Sequence, residues 1–272
     1  MPNITIITAA YNAATTISDS LRSVTFQTHH AEHIVIDGGS TDATLELVRD
    51  ITPHARVLSE PDRGIYDAMN KGIALATGEV IGILNADDFY ASPDVLAKVA
   101  KVFEDLSVMC CYGDLEYVIE SDKLKVKREM GNDVRDTHFT LHPSLFTVVR
   151  YWKSGTFTPR SFYWGWMPPH PTFFVRRSVY ERYGKFRLDM GSAADYELML
   201  RLLLKHGMQA VYIPDVLVRM RSGGSSNASL TARTRANLMD RKAWEVNGLK
   251  PYPWTLLCKP LRKVGQYFFR KK

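Results

Sequence analysis

Short apolar runs and helical stripes alternate along the first half of the chain. Ile4–Thr8 is a run rich in branched residues that stops at the turn Ala10-Tyr11-Asn12, and Ile17, Leu21 and Val24 then recur at helical spacing. Ile34–Ile36 is a second strand, ending at Asp37-Gly38-Gly39-Ser40, after which Thr41 or Asp42 can cap a helix carrying Leu45 and Val48. Arg56–Ser59 reads as a third strand. Tyr66–Ala76 reads as a helix with Ile65, Met69 and Ile73 on one face. Val80–Leu84 is a brief buried strand that ends in Asn85-Ala86-Asp87-Asp88. Ser92-Pro93 opens another helix as cap and first residue, and Val108–Tyr112 is one more strand. Strands alternating with helices predict an α/β domain on a mostly parallel sheet with right-handed crossovers.

The second half is patterned differently. Leu115–Ile119 and Leu124–Arg128 suggest a hairpin with charged faces. Residues 139–174 are dense in aromatics, Pro and His, including Phe157, Phe162, Trp164, Trp166 and His170; such a segment either lines a pocket or forms an irregular core wall. A short helix over Arg176–Tyr183, a longer one over Asp195–His206 stopped by Gly207, and a strand over Val211–Pro214 follow. Arg219 to Ser226 reads as a flexible basic loop. Its arginines either close over a phosphate-bearing ligand or are simply solvated.

Composition narrows the function classes. With 45% hydrophobic and 24% charged residues over 272 positions, the chain has the make-up of a globular protein with a large core. Cys110, Cys111 and Cys258 show no zinc spacing, which fits core packing in a reducing compartment. The amino terminus lacks the pattern of a signal peptide, and no stretch is long and apolar enough to span a bilayer, so the cytoplasm is expected. The net charge is +6, and residues 259–272 hold six basic and no acidic residues, so the rest of the chain is balanced. A neutral body argues against a nucleic-acid partner.

Three strand ends, Thr8–Asn12, Asp37–Asp42 and Asn85–Asp88, bring polar groups to one edge of the predicted sheet, where open α/β sheets bind ligands. A carboxylate such as Asp37 can accept a base imide hydrogen or a ribose hydroxyl, and Tyr11 can stack on a base. Carboxylate oxygens at Asp87 and Asp88 suit Mg²⁺ or Mn²⁺, although a pair of acids after a strand also serves as a helix cap or turn. No phosphate-cradling glycine loop is present, so phosphates need a metal and basic side chains.

Four segments in this order, Thr8-Ala9-Ala10-Tyr11-Asn12, Ile36-Asp37-Gly38-Gly39-Ser40-Thr41-Asp42, Asp62-Arg63-Gly64-Ile65-Tyr66-Asp67-Ala68-Met69-Asn70-Lys71-Gly72 and Leu84-Asn85-Ala86-Asp87-Asp88, resemble the family 2 glycosyltransferases. The match runs over residues 1–115 and continues more loosely over 170–225. The resemblance implies a GT-A fold, a Rossmann-like nucleotide-binding, mostly parallel sheet flanked by helices, with a C-terminal amphipathic helical tail. It implies an inverting, metal-dependent hexosyltransferase that moves a sugar from a nucleotide diphosphate, expected to be UDP, to a hydroxyl. By the same resemblance Thr8, Ala10, Tyr11 and Asn12 form the first nucleotide-contacting loop, Asp37 binds the base, Arg63 lies near the uridine, and Asn85, Ala86 and Asp87 occupy the D-x-D position. Asp87, with Asp88 second, would hold the divalent metal. Asn85 departs from the family's first Asp and brings no charge. His170 fits a position near the donor pyrophosphate, and Arg221 a position over the diphosphate.

Ala194-Asp195-Tyr196-Glu197 is similar to the family's E-D motif at a helix start, with Ala in the first place. The resemblance makes Asp195 the general base; an acid in a first turn is otherwise a common helix cap. Asp114 either lines an acceptor pocket or ends its strand in a turn, and Arg201 is read as structural. Residues 1–225 are expected to form the transferase domain, 1–115 binding the nucleotide sugar and 116–225 the acceptor, with 226–272 a basic helical tail.

In that tail Trp254, Leu257, Leu261, Val264 and Phe268 recur at helical steps, flanked by Lys259, Arg262, Lys263 and Arg270-Lys271-Lys272. Such a helix either lies on anionic lipid or packs on the domain with its basic side in water. Lipid contact through residues 254–272 suits a peripheral enzyme on the inner face of the cell membrane with a polyprenyl-diphosphate-linked saccharide acceptor for bacterial surface polysaccharide. A nucleotidyltransferase, or a sugar-nucleotide or glycan-binding protein without activity, are the competing classes.

Overall fold

The computed structural model describes residues 1–121, 145–222 and 230–266. Four parallel strands form one half of a nine-stranded sheet: β1 (Ile4–Ala10), β2 (Glu32–Asp37), β3 (Arg56–Ser59) and β4 (Val80–Ile83), in the order β3-β2-β1-β4. The helices α1 (Ile17–Thr25), α2 (Thr44–Ile51) and α3 (Ile65–Leu75) connect them as the alternation predicts. Every β1 residue is buried, because parallel strands are covered on both faces. In α3, Gly72 lies against the Ile7 side chain, where a Cβ would collide, so the missing side chain lets the helix settle on β1.

Beyond β4 the sheet turns mixed. β8 (Phe174–Arg176) runs antiparallel to both β4 and β6 (Cys110–Glu120). β9 (Ala210–Arg221) runs parallel to β6, and β5 (Asp88–Tyr90) closes the edge antiparallel to β9. β7 (Phe146–Trp152) pairs with the outer part of β6. The strand expected at 108–112 and the first hairpin strand at 115–119 are thus one strand, and its antiparallel partner is β7. The expected Leu124–Arg128 strand lies outside the described residues. The helix α4 (Val95–Val102) starts later than Ser92-Pro93 suggests, because Ser92 and Asp94 bond to each other in the turn before it.

The aromatic segment forms core. Around α5 (Pro159–Tyr163), Phe157 stacks on Trp166 and Phe162 meets both rings edge-on inside the largest hydrophobic cluster, while Trp164 turns outward. The helix α6 (Arg177–Tyr183) leads to α7 (Ala194–Met199), which continues as a π-turn to Lys205. The last described helices are α8 (Leu230–Val246) and α9 (Thr255–Gly265). Ala243 and Trp244 of α8 are fully buried in the same large cluster, and the Trp244 indole donates to the Tyr196 hydroxyl at 3.0 Å. The chain beyond 226 therefore supplies core to the body that precedes it.

The helix α9 packs on the domain along one side and exposes apolar side chains along the other. Its inner side is docked: Thr255 donates to the Tyr163 carbonyl at 2.8 Å, and Gly165 meets the Cys258–Lys259 backbone so closely that no side chain fits. Lys259 points inward, ion-paired with Asp240 at 2.7 Å and over the Tyr196 ring at 3.7 Å. Its outer side exposes Trp254, Leu257 and Leu261, with Trp164 beside Trp254 at a ring separation of 6.0 Å. The side chains of Lys263 and Val264, and residues 267–272, lie outside the described residues. Among the described residues no helix is long and apolar enough to cross a membrane.

One buried polar pair gives the fold a pH signature. His33 on β2 is buried, bonded through Nε2 to the Thr8 hydroxyl at 3.0 Å, and its Nδ1 has no partner among the described residues. Burial lowers its pKa from 6.5 to about 4. Above pH 6.5 both folded and unfolded chains carry a neutral ring. As pH falls toward 4 only the unfolded chain takes up the proton, so stability drops by about 3 kcal/mol over that interval and no further below it. Urea titrations of the parent and His33→Gln at pH 7 and pH 4 check this: the variant should lose markedly less stability across the interval, and equal losses would contradict the assignment.

Candidate active site

The carboxyl ends of β1 to β4 share one edge, and their loops interlock there. Asn12 adopts a left-handed backbone with φ of 47°, which a short polar side chain tolerates. Its N–H donates to the Ser40 hydroxyl at 2.8 Å, and its Oδ1 accepts the Thr41 N–H at 2.9 Å. The Ala13 N–H bonds the Thr44 hydroxyl at 2.8 Å and the Ala14 N–H bonds the Asp42 carboxylate at 3.0 Å. Two loops thirty residues apart in sequence are thus fixed as one surface, with the Tyr11 ring projecting at 65% exposure.

Asp37, at the end of β2, is buried and already engaged. Its Oδ2 accepts the Gly39 N–H at 3.1 Å, the Ser40 N–H at 3.0 Å and the Ser59 hydroxyl at 2.7 Å, and its Oδ1 accepts the Ser40 hydroxyl. It organises the turn after β2 and ties it to the end of β3. Thr8 also differs from expectation: its hydroxyl is buried against His33 and does not face the loop surface. The side chains of Ala10 and Ala86 are buried beneath α1 with Ile17, Leu21 and Val48. Period-2 alternation cannot reveal the directions of Thr8 and Ala10 in a strand covered on both faces.

Asp62, just beyond β3, occupies the space above Gly38. A Cβ on Gly38 would lie 2.7 Å from Asp62 Oδ2 and 3.4 Å from the Tyr11 ring. Asp62 Oδ1 accepts the Gly64 N–H at 2.8 Å, while Oδ2 has no hydrogen-bond donor among the described residues. Lys71 steadies this loop through Glu60 at 2.8 Å and the Pro61 carbonyl at 3.0 Å. The Arg63 side chain is 78% exposed and bridges to Asp67 at 3.3 Å, leaving it at the rim.

The acid pair after β4 splits in two directions. Asp87 is half-buried, and its carboxylate has no hydrogen-bond partner among the described residues. Asp88 is wholly buried within β5; burial first, and then the neighbouring Asp87 charge, push its carboxyl well above the usual range. Asn85 donates to Asp88 Oδ2 at 3.1 Å, and the buried oxygens Asn85 Oδ1 and Asp88 Oδ1 have no hydrogen-bond partner among the described residues. Asp88, expected as a second ligand, is therefore enclosed behind Asp87. The open carboxylate of Asp87 and these orphaned hard oxygens suit a small divalent cation that takes one or two protein carboxylates and completes its shell from substrate phosphates. Among the described residues no cluster of three or more His, Cys, Asp or Glu gathers into a fully protein-built metal site.

Arg221 sits at the end of β9 and not on a free loop. Its Nη1 donates to the Asp87 carbonyl at 2.9 Å, its Nε pairs with Glu120 at 3.3 Å, and its Nη2 pairs with the buried Asp19 of α1. The guanidinium lies over the rings of Phe89 and Phe146 at 5.3 and 5.6 Å. It buttresses the Asp87 turn from behind. Arg219 is likewise committed, to Glu116 at 3.0 Å.

Asp195 stands in the first turn of α7, half-buried, with its Oδ1 accepting the Tyr196 N–H at 2.7 Å. Tyr66, at the start of α3, lies near it, and burial followed by the Asp195 charge holds the phenol protonated well above its ordinary range. His170 is the third member, lowered by burial and only partly restored by the Asp195 charge, so its ring is neutral near pH 7. Phe186 packs against both, at 5.3 Å from the Tyr66 ring and 5.5 Å from the His170 ring. Asn70 clamps Phe186 from α3, donating to its carbonyl and accepting its N–H, both at 2.9 Å. Arg201 locks α7 to the preceding loop through Glu197 at 3.0 Å and the Lys185 carbonyl at 2.7 Å, as its structural reading predicts. Ala194 is buried in the core, so an acid there would point away from solvent. Asp114, by contrast, is saturated by the hydroxyls of Tyr151 and Tyr212 and the Ser154 N–H, deep in the second half.

The sequence pattern assigns Asp62 and Tyr66 no role. The signal for Asp62 is the missing side chain at Gly38, whose meaning is visible only when β2 and β3 lie side by side.

A model of glycosyl transferase family 2 matches residues 5–184 of this chain. An uncharacterized glycosyltransferase of Mycobacterium tuberculosis is 30% identical over 209 residues, covering 75% of this chain and 70% of the relative. Staphylococcus aureus TarS 1–349, solved in complex with UDP-GlcNAc, superposes with a TM-score of 0.62 at 17% identity, covering 87% of this chain and 65% of that one. The mannosyltransferase PcManGT of Pyrobaculum calidifontis, solved with GDP-Man and Mn²⁺, gives 0.59 at 20% identity over 100% of this chain and 76% of that one. These two likenesses are of fold.

Proposed function

The chain belongs to glycosyl transferase family 2, and on that premise we propose that it is an inverting transferase moving a hexose from a UDP-sugar to a hydroxyl of a lipid-linked saccharide. The observation that carries this reading is the half-buried carboxylate of Asp195, in the first turn of α7, beside Tyr66 at the start of α3, the helix that follows the interlocked, ring-bearing strand-end surface. Tyr11 offers a face for the base, and the turn held by Asp37 sets the floor. Arg63 at the rim, held only by its exposed bridge to Asp67, lies where it could turn toward a ribose or phosphate.

Asp87 is the residue that would hold a divalent cation, with the Asn85 and Asp88 oxygens behind it. Such an ion supplies charge neutralisation for the departing diphosphate. Asp195 accepts the proton of the attacking acceptor hydroxyl as its oxygen bonds the anomeric carbon and the bond to the diphosphate breaks. One displacement inverts that carbon. The Tyr196 N–H holds one oxygen of the Asp195 carboxylate, and Tyr66 stays protonated beside it. The neutral His170 beside it adds no positive charge that would weaken the base.

A screen of nucleotide release tests the reading. The purified chain with Mn²⁺ and an acceptor-containing membrane extract should release UDP from at least one UDP-sugar. Binding of UDP-sugars with no release from any donor would favour a binding protein instead.

The exposed row Trp254, Leu257 and Leu261, continued by Trp164, supports placing the enzyme on an anionic membrane surface, where a lipid-carried acceptor resides. Replacing Trp254, Leu257 and Leu261 together by Ser should move the protein from the pellet to the supernatant when it is spun with anionic vesicles. These side chains face solvent, so the fold should persist. An unchanged distribution would remove the membrane from the proposal.

A further inference from the structure

The donor surface contains two carboxylates near Tyr11, and they are not equivalent. Asp37 is the one a sequence reading selects, but both its oxygens are engaged, by two N–H groups and a hydroxyl of its own turn and by the Ser59 hydroxyl of β3. A base offering a ring N–H to Asp37 would have to displace one of those bonds from a buried group. Asp62 is the reverse case. One oxygen anchors the Gly64 N–H, and the other is unbonded among the described residues, lying over Gly38 next to the exposed Tyr11 ring. The absence of a side chain at Gly38 is what makes room for it, since a Cβ there would come within 2.7 Å of that oxygen.

We infer that Asp62, reaching across Gly38, is the residue that reads the donor's base, accepting the N3–H of a uracil that lies against Tyr11. This rests on the uridine-donor reading given above and assigns its specificity to a different carboxylate. The chemistry is discriminating in a simple way. Uracil presents a donor at N3, whereas cytosine presents a lone pair there, which a carboxylate repels. A charged hydrogen bond of this kind carries a preference of about ten- to a hundredfold.

The exchange Asp62→Asn tests it without removing the loop's anchor. The Gly64 N–H needs an acceptor, so the amide oxygen stays on that side and the NH₂ turns to where Oδ2 was. The variant then offers a donor to the base edge. Titration calorimetry of the full chain with UDP, N3-methyl-UDP and CDP in the presence of Mn²⁺ should show the parent preferring UDP over both others by about ten- to a hundredfold. In Asp62→Asn the preference for UDP over CDP should vanish or invert, with an unchanged melting temperature. Asp37→Asn should instead lower the melting temperature and leave the UDP-to-CDP ratio of its folded fraction near that of the parent. If UDP binds the parent and the ratio is unaltered in Asp62→Asn, the assignment of Asp62 is overturned while the donor reading stands. If the parent binds no uridine nucleotide, both are overturned.

Discussion

Asp195→Asn is expected to lower the rate of sugar transfer by about 10²- to 10⁴-fold, the range that general-base catalysis contributes, while leaving UDP affinity near that of the parent. The amide is nearly isosteric and can still accept the Tyr196 N–H, so α7 should start where it does now. What is lost is the capacity to take a proton. The half-burial of Asp195, the protonated Tyr66 and the neutral His170 form an environment in which its charge has no cationic partner among the described residues. Comparison of transfer rates at saturating donor, with calorimetry of UDP binding on the same samples, reads the two effects apart. A fall in UDP binding equal to the fall in rate would make Asp195 a binding residue. Unchanged transfer would make it a helix cap.

Arg221→Met is expected to cost about 3–5 kcal/mol of stability, the range for breaking a buried ion pair by removal of one partner. The guanidinium is 11% exposed and bonds a buried aspartate of α1, a glutamate of β6 and the Asp87 carbonyl. Methionine can fill the space between Phe89 and Phe146 but leaves the Asp19 charge without this partner. Arg221→Lys should fall between the two, because an ammonium cannot span three separate acceptors in a fixed fork. The same loss frees the Asp87 turn, so the concentration of Mn²⁺ needed for half-maximal binding should rise in the lysine variant. Urea titration measures the first effect and the paramagnetic signal of bound Mn²⁺ the second. A methionine variant as stable as the parent would mean that Arg221 is a ligand-facing side chain and not a strut.

What the sequence made legible was local. The strands β1 to β4 and the helices between them are short-range patterns, and each carries its own stop signal, such as the Asn12 turn or Gly78 before Val80. The loops bearing Tyr11, Asp37 and Asp87 could be assigned to one edge because parallel crossovers leave no other arrangement. The second half was less legible because its strands pair over long distances. β6 pairs with β9 about a hundred residues on, and β8 enters antiparallel between β4 and β6. Arg219 and Arg221 read as a loop because Gly and Ser follow them, yet partners on β6 draw them into a strand. The directions of Thr8 and Ala10 were hidden for another reason. Strands buried on both sides carry no polar alternation to mark which face meets a ligand. Asp62 was overlooked because its meaning depends on an absent side chain one strand away.

A crystal structure of the chain with Mn²⁺ and UDP is the decisive measurement. The uracil should lie against Tyr11 with its N3 toward Asp62, the diphosphate and metal should meet the Asp87 carboxylate, and Asp195 should face the open end of the diphosphate beside Tyr66. Nucleotide bound away from the strand-end surface, or a metal held without Asp87, would contradict the proposed donor site and the mechanism built on it.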